Sequence, residues 1–296
     1  MKRTFTIAIV IMTILLVPLW TQTGADFRVT RTQDGQGVII TGYTGTVMDV
    51  RIPAIIQSMP VKEIGELAFY ETRITSVVVP EGVSIIGRFA FTGTNITSVE
   101  IPQSVRIIGD SAFRGTSIIS VIIPEGVENI VIGTFSDCTQ LRSVTLPSTL
   151  LTIGDQAFYN TALESIVIPE GVTSIGATAF NACVNLNMVT LPSTLTSIGH
   201  NAFSSTALQT IVIPEGVTDI GAGAFGSCVQ LTSVTLPSTI LNIGNFAFYN
   251  CPLLTTITLP RTIRNIQFGE QVFTGSNAIN RASQTALRRV GYTGPF

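Results

Sequence analysis

Charge is scarce in this sequence. Only 11% of its 296 residues are Asp, Glu, Lys or Arg, against roughly 25% in an ordinary soluble domain. Lysine is nearly missing: after Lys2 only Lys62 occurs. The net charge is −2 and the body of the chain carries no basic patch, which excludes the electrostatic footprint of a nucleic-acid binder. The one local excess, Arg281, Arg288 and Arg289, reads as the solvated face of a terminal helix. Long apolar runs are missing too. A bilayer span needs about 20 apolar residues, and none follows the N-terminal segment. The apolar residues come instead in short bursts between prolines and glycines, the pattern of many short buried strands.

The N-terminus reads as a secretion signal over residues 1–25. Lys2 and Arg3 supply the positive start, Phe5 to Val17 is apolar but too short to span, Pro18 breaks it, and Thr23-Gly24-Ala25 offers small residues for cleavage. No cysteine follows the apolar stretch to carry a lipid. The expectation is export, with no stable membrane span after signal cleavage.

What the sequence has in abundance is self-similarity. Prolines recur at 80, 102, 124, 147, 169, 192, 214, 237 and 260, in steps of 22 or 23 residues. Before each sits an apolar triplet at i, i+3, i+5, as in Leu163-Ile166-Ile168 and Leu208-Ile211-Ile213. After most prolines runs Ile-Gly-x-x-Ala-Phe, as in Ile175-Gly176-Ala177-Thr178-Ala179-Phe180. The triplet predicts a short strand with its apolar residues inward, ended by a proline that cannot donate to a ladder. The glycine is expected to permit a backbone turn that a side chain would obstruct. The Ala-Phe pair places a large ring beside a small neighbour on the opposite wall. One such unit cannot bury its own apolar face, but stacked units bury a continuous core.

A double rhythm overlies this period. Pro-Glu-Gly-Val units, from Pro80, Pro124, Pro169 and Pro214, tend to alternate with Pro-Ser-Thr units, from Pro147, Pro192 and Pro237. Two departures predict local irregularity: the displaced glycine in Ile130-Val131-Ile132-Gly133, and two residues inserted between Pro260 and Phe273.

Ile-Gly-x-x-Ala-Phe-x-x-Cys/Thr followed by Leu-x-x-Ile-x-Ile/Leu-Pro resembles the leucine-rich repeat of BspA-type surface proteins, over roughly residues 38–276. The resemblance implies a mainly β repeat solenoid: short parallel strands, with turns or short helical segments on the opposite wall. It also implies an exported protein associated with adhesion to matrix proteins, host cells or other microbes, and it supplies no catalytic residue. The division that follows is a signal at 1–25, an N-terminal cap and first strand at 26–60, repeats at 61–276 and a C-terminal helical cap at 277–296.

The caps are needed because a solenoid ends in raw apolar surface. Phe27-Arg28-Val29, the turn Asp34-Gly35-Gln36-Gly37 and Val38-Ile39-Ile40 read as a hairpin. Ile279, Ala282, Ala286, Leu287 and Val290 share one face of a helix that Gly291 would end.

Candidate chemistry resolves into repeat positions. Cys138, Cys183, Cys228 and Cys251 each follow their phenylalanine by three residues, a slot filled elsewhere by Thr or Ser. They read as small buried side chains. Adjacent coils leave Cys228 and Cys251 near enough for a disulfide, but side chains in register point the same way. The ladder does not converge on a point, as zinc would need. His200 sits at a variable turn position and reads as solvated. Gly221-Ala222-Gly223-Ala224-Phe225-Gly226 fits G-x-G-x-x-G only as a by-product of the repeat. Glu81, Glu125, Glu170 and Glu215 read as a solvated rim. No cofactor, metal or catalytic residue is expected.

The informative surface is the outward side of the strands. Ser165, Val167, Met188, Thr190, Thr210 and Val212 occupy it in three consecutive repeats of regular consensus. Apart from Glu100 its two columns are uncharged, which suits a protein partner better than DNA. The expectation is a non-catalytic protein-binding solenoid, adhesin-like toward host or extracellular-matrix proteins or other cells. The alternative is a periplasmic or envelope scaffold for the cell's own proteins.

Overall fold

The computed structural model describes residues 23–263 and 266–296. All but the last three residues of the proposed signal lie outside them. Coil after coil winds through three walls around one apolar core. The first wall carries three-residue strands such as Ser143–Thr145, Ser165–Val167 and Met188–Thr190. The second carries two-residue strands such as Ser174–Ile175, Ser197–Ile198 and Asp219–Ile220, joined in a parallel ladder. The third is a wall of turns that bears the phenylalanines.

The expected wall of turns is present as the third wall, and the second ladder is an addition to it. The isoleucine of each Ile-Gly pair faces the core, and its glycine N–H closes a bond to the preceding coil: Gly199 to the Ile175 carbonyl at 2.9 Å, Gly221 to Ile198 at 2.8 Å. The glycines there are needed for a reason other than a turn. Gly199 and Gly221 are absent from the left-handed positions. A Cβ on Gly221 would instead lie 2.6 Å from the backbone carbon of Gly199. Val131 stands where this glycine is missing, and the ladder breaks at that point, between Ile107–Ile108 and Asn129–Ile130. The expected irregularity is thus a lost backbone closure. Phe135 still stacks 5.5 Å from both its neighbours. After the insertion, Gln267–Phe268 restores the register with Asn242–Ile243.

On the turn wall two left-handed residues flank each Ala-Phe pair, for example Thr178 (φ 53°) and Ala182 (φ 60°) around Phe180. Such residues cost roughly 1–2 kcal/mol each when they are not glycine. The gain is that alternate N–H groups all point to the next coil. Thr178 donates to the His200 carbonyl at 2.7 Å, Phe180 to Ala202 at 2.8 Å and Ala182 to Ser204 at 3.0 Å. The rings then stack in nine successive steps of 5.0–5.5 Å from Phe69 to Phe273.

The cysteine slot is a second buried ladder. The four thiols are free and buried. Cys183 donates to the Phe158 carbonyl at 3.1 Å and lies 3.1 Å from the Thr161 hydroxyl. Burial pushes the Cys183 thiol up to about 11.

Three of the four glutamates, Glu125, Glu170 and Glu215, do more than form a solvated rim. Glu170 accepts from both the amide and the hydroxyl of Ser193 in the next coil, and Gly171 N–H donates to Thr194 Oγ1 at 3.0 Å. Glu125 with Ser148 and Glu215 with Ser238 repeat the clasp. From Pro124 onward the double rhythm is therefore physical: each of these three Pro-Glu-Gly-Val coils grips the Pro-Ser-Thr coil that follows. The serine amide first, then its hydroxyl, holds each carboxyl below the ordinary glutamate range. A carboxylate whose pKa is lowered by folding stabilises the fold above its unfolded pKa, and that stabilisation is lost as pH falls through the folded value. Chemical unfolding midpoints taken from about pH 7 down to about pH 3 should fall less steeply in an E125Q/E170Q/E215Q variant than in the wild type. Parallel curves would show that the clasps contribute nothing to acid stability.

The N-terminal hairpin is present as β1 (Phe27–Arg31) and β2 (Val38–Tyr43), paired antiparallel. β2 continues in parallel onto Met59–Ile64. Tyr43 and Phe27 cover the first ring, Phe69, at 5.5 and 6.4 Å. At the other end stands the helix α1 (Arg281–Arg289), with Asn280 capping Ser283 N–H. Ile279, Leu287 and Val290 are buried as expected, but Ala282 is exposed. Ser283 turns inward in its place, because its hydroxyl accepts the Ile257 N–H at 2.9 Å that a further strand would otherwise take. Gly291 follows the helix at φ 104°. The terminal arginines are likewise engaged: Arg288 lies over Tyr292 and Phe296, and Arg289 bonds the Pro260 and Arg261 carbonyls.

Candidate binding face

Alternation along each three-residue strand places the middle residue inward. Ile166 and Ile211 are buried and Val189 packs against the core. Their neighbours then face solvent, and all six expected site residues are exposed. Ser165 pairs with Met188 and Val167 with Thr190 in register. Thr210–Val212 lies in the next coil but belongs to a separate ladder segment, with Ser233–Thr235.

The three expected strands are therefore not one continuous sheet. The ladder breaks after Ser98–Glu100, after Ser143–Thr145 and after Met188–Thr190. All three breaks fall at 22-residue steps, while the 23-residue steps stay paired. The longer coils carry an extra residue between the phenylalanine and the strand, as in Ala182-Cys183-Val184-Asn185-Leu186 against Asn160-Thr161-Ala162-Leu163.

From Ser120 onward the outward strand residues are uncharged. The charge beside them is paired at the margin, where Arg142 and Glu164 approach to 3.6 Å. Along the centre, large apolar side chains stand in solvent at every second coil: Ile122 at 67% exposure, Val167 at 67% and Val212 at 64%, with Met188 at 58% between the last two. Val184, Val229 and Leu253 add exposed apolar surface. Sequence reasoning passed over these three; the signal was their place just before the inward leucine, two residues for Val184 and Val229 and one for Leu253, outside the buried pattern. Asn95 of the sequon Asn95-Ile96-Thr97 is exposed.

Among the described residues no group of three or more His, Cys, Asp or Glu is placed to hold a metal ion. No helix among them is long and apolar enough to cross a membrane. His200 is more than a solvated turn residue: its Nδ1 accepts the Ala222 N–H at 3.0 Å. Asp155 and Asn245 occupy the same place in their coils and accept from Ala177 and Glu270.

A stacked coil with an apolar triplet, a glycine closure and a buried phenylalanine, repeated with ten such rings from Phe69 to Phe273, defines a leucine-rich-repeat solenoid. The chain belongs to the BspA-type leucine-rich repeat family, whose profile matches residues 62–172 and 151–280 with six copies. Among solved structures it is similar to a leucine-rich repeat protein from Bacteroides ovatus, at 24% identity, covering 86% of this chain and 80% of that one with a TM-score of 0.63. It is also similar to the T. pallidum leucine-rich repeat protein, at 27% identity, 93% and 98% coverage and a TM-score of 0.42. A leucine-rich cell surface protein from Faecalibacterium prausnitzii matches at 23% identity, 93% and 98% coverage and a TM-score of 0.44. No curated protein matches the sequence significantly.

Proposed function

We propose that this chain is an exported, non-catalytic binding solenoid, adhesin-like, that holds a host, extracellular-matrix or other cell's protein on its strand face. The observation that carries the reading is the exposed apolar series Ile122, Val167, Met188 and Val212 on an otherwise hydroxyl-rich, uncharged surface. Large apolar side chains held out in solvent among polar neighbours favour a contact surface, and extended solenoid surfaces are the usual place of binding. Methionine suits an adaptable contact, so Met188 is the residue on which the reading leans most. Family membership supports a cell-surface location.

The test is the triple variant Ser165→Glu, Met188→Glu, Thr210→Glu. Surface changes of this kind alter stability by no more than about 0.5 kcal/mol each, so the melt should hold. Binding to an immobilised extracellular-matrix preparation and to intact host cells should fall at least about tenfold. Wild-type binding by the folded variant would place the contact elsewhere on the molecule. Surface location has its own check: protease added to intact cells should remove the chain, and full protection would instead favour an interior envelope role.

A further inference from the structure

The second wall carries a groove that the proposed strand-face function does not use. It runs along the stack from Ile198 to Gly269 and has a volume of about 600 Å³. Its floor is the glycine of each Ile-Gly pair, kept free of side chains because the coils close backbone to backbone there. Its walls carry His200, Asp219, Asn242, Asn245 and Gln267, and Phe268 stands at one end.

Hydrogen bonds within the fold fix what these side chains offer. His200 uses Nδ1 to accept the Ala222 N–H at 3.0 Å, so the neutral ring carries its proton on Nε2 and presents a donor. Asn245 uses Oδ1 to accept the Glu270 N–H at 2.8 Å, which leaves its NH2 as a donor. Asn242 spends one N–H on Asp219 Oδ1 at 2.6 Å and leaves its carbonyl oxygen as an acceptor. The Thr218 hydroxyl holds the other carboxylate oxygen of Asp219. Gln267 is exposed, and its side chain has no hydrogen-bond partner among the described residues, so it offers both a donor and an acceptor. Phe268, half-buried, packs edge-on to Tyr292 at 5.2 Å and against the core, and closes the groove at that end.

We propose that this groove binds a neutral oligosaccharide lying along the stack. The lining offers fixed donors on His200 and Asn245 and acceptors on Asp219 and Asn242, the mixture that the hydroxyls of a polyol, each both donor and acceptor, require. A small number of oriented polar groups is what fixes and selects the ligand in such a site. No Lys or Arg among the described residues lines the groove, while Asp219 does, so a phosphate or sulfate ester is disfavoured. An extended peptide is disfavoured because the floor backbone is already bonded coil to coil.

His200 is the only histidine in the chain, so its imidazole signals in a 15N-labelled, tag-free sample need no assignment. Cellohexaose, chitohexaose, mannohexaose and xylohexaose would each be titrated to millimolar concentration, with a heparin hexasaccharide as the charged comparison. At least one neutral sugar should shift the His200 ring signals saturably, and the heparin fragment should not. Gln267→Ala should weaken that binding about fivefold, the effect of one lost hydrogen bond, with an unchanged melt. Silence from all four neutral sugars, a response to heparin alone, or full affinity in Gln267→Ala would each overturn the assignment.

Discussion

Phe180→Ala or Phe203→Ala should cost the folded chain about 3–5 kcal/mol, the range for truncating a large core ring. Both rings are fully buried, stacked on each other at 5.2 Å with planes 3° apart. Each is also covered on its other side, by Phe158 at 5.3 Å and by Phe225 at 5.5 Å. The backbone is held by its own bonds to the next coil, so relaxation has little freedom to close the void. Because contacts in a solenoid run only to neighbours, the damage should be local. Hydrogen exchange should rise most in the mutated coil and the two beside it, while the hairpin and α1 stay protected. A loss well below the expected range, or one spread evenly over all coils, would contradict the stacked-ring account.

The second large effect concerns a glycine with ordinary backbone geometry. Gly221→Ala puts a methyl group 2.6 Å from the Gly199 carbonyl carbon and 2.7 Å from the His200 nitrogen. No flexible side chain is there to yield, so the coils must part and the Gly221 N–H bond to Ile198, now 2.8 Å, is strained or lost. Overpacking of this kind costs about 1–3 kcal/mol, and the weakened bond adds about 0.5–1.5 kcal/mol. Gly216→Ala is the comparison. Gly216 has φ 102°, but a Cβ there meets nothing nearer than the Leu195 carbonyl oxygen at 3.4 Å. It should suffer only the conformational penalty of roughly 1–2 kcal/mol. The expected order by urea unfolding is therefore Gly221→Ala worse than Gly216→Ala. The reverse order would mean that coil-to-coil contact is not what keeps this glycine.

The natural sequence already contains a bulkier form of that experiment. Val131 occupies the glycine position, and the second ladder is interrupted there while the phenylalanine stack continues. The irregularity was legible in the residues, but its form was not. A displaced glycine says that something must give; only the three-dimensional packing says which of two ladders gives way. His200 is a similar case. Its slot holds Ala, Asp, Asn, Arg or Glu in other repeats, so its identity looked unconstrained, yet the ring reaches an amide 22 residues away.

By itself the sequence determined the period, the stack of ten phenylalanines, the inward triplets, the hairpin, the terminal helix and the exposure of Ser165, Val167, Met188, Thr190, Thr210 and Val212. These are local matters: a two-residue alternation, a proline stop and a small residue beside a large one act within a single coil, and repetition multiplies the signal. The tertiary structure alone decided where the strand ladder breaks, why the glycines are needed, that Glu170 grips Ser193, that Ser283 rather than Ala282 turns inward, and that the second wall holds a groove. Each of these depends on how one coil meets the next, through contacts such as the 2.8 Å bond from Gly221 to Ile198 and the 2.9 Å bond from Ser193 to Glu170. Contacts between residues some 22 positions apart carry no local periodicity from which they could be read.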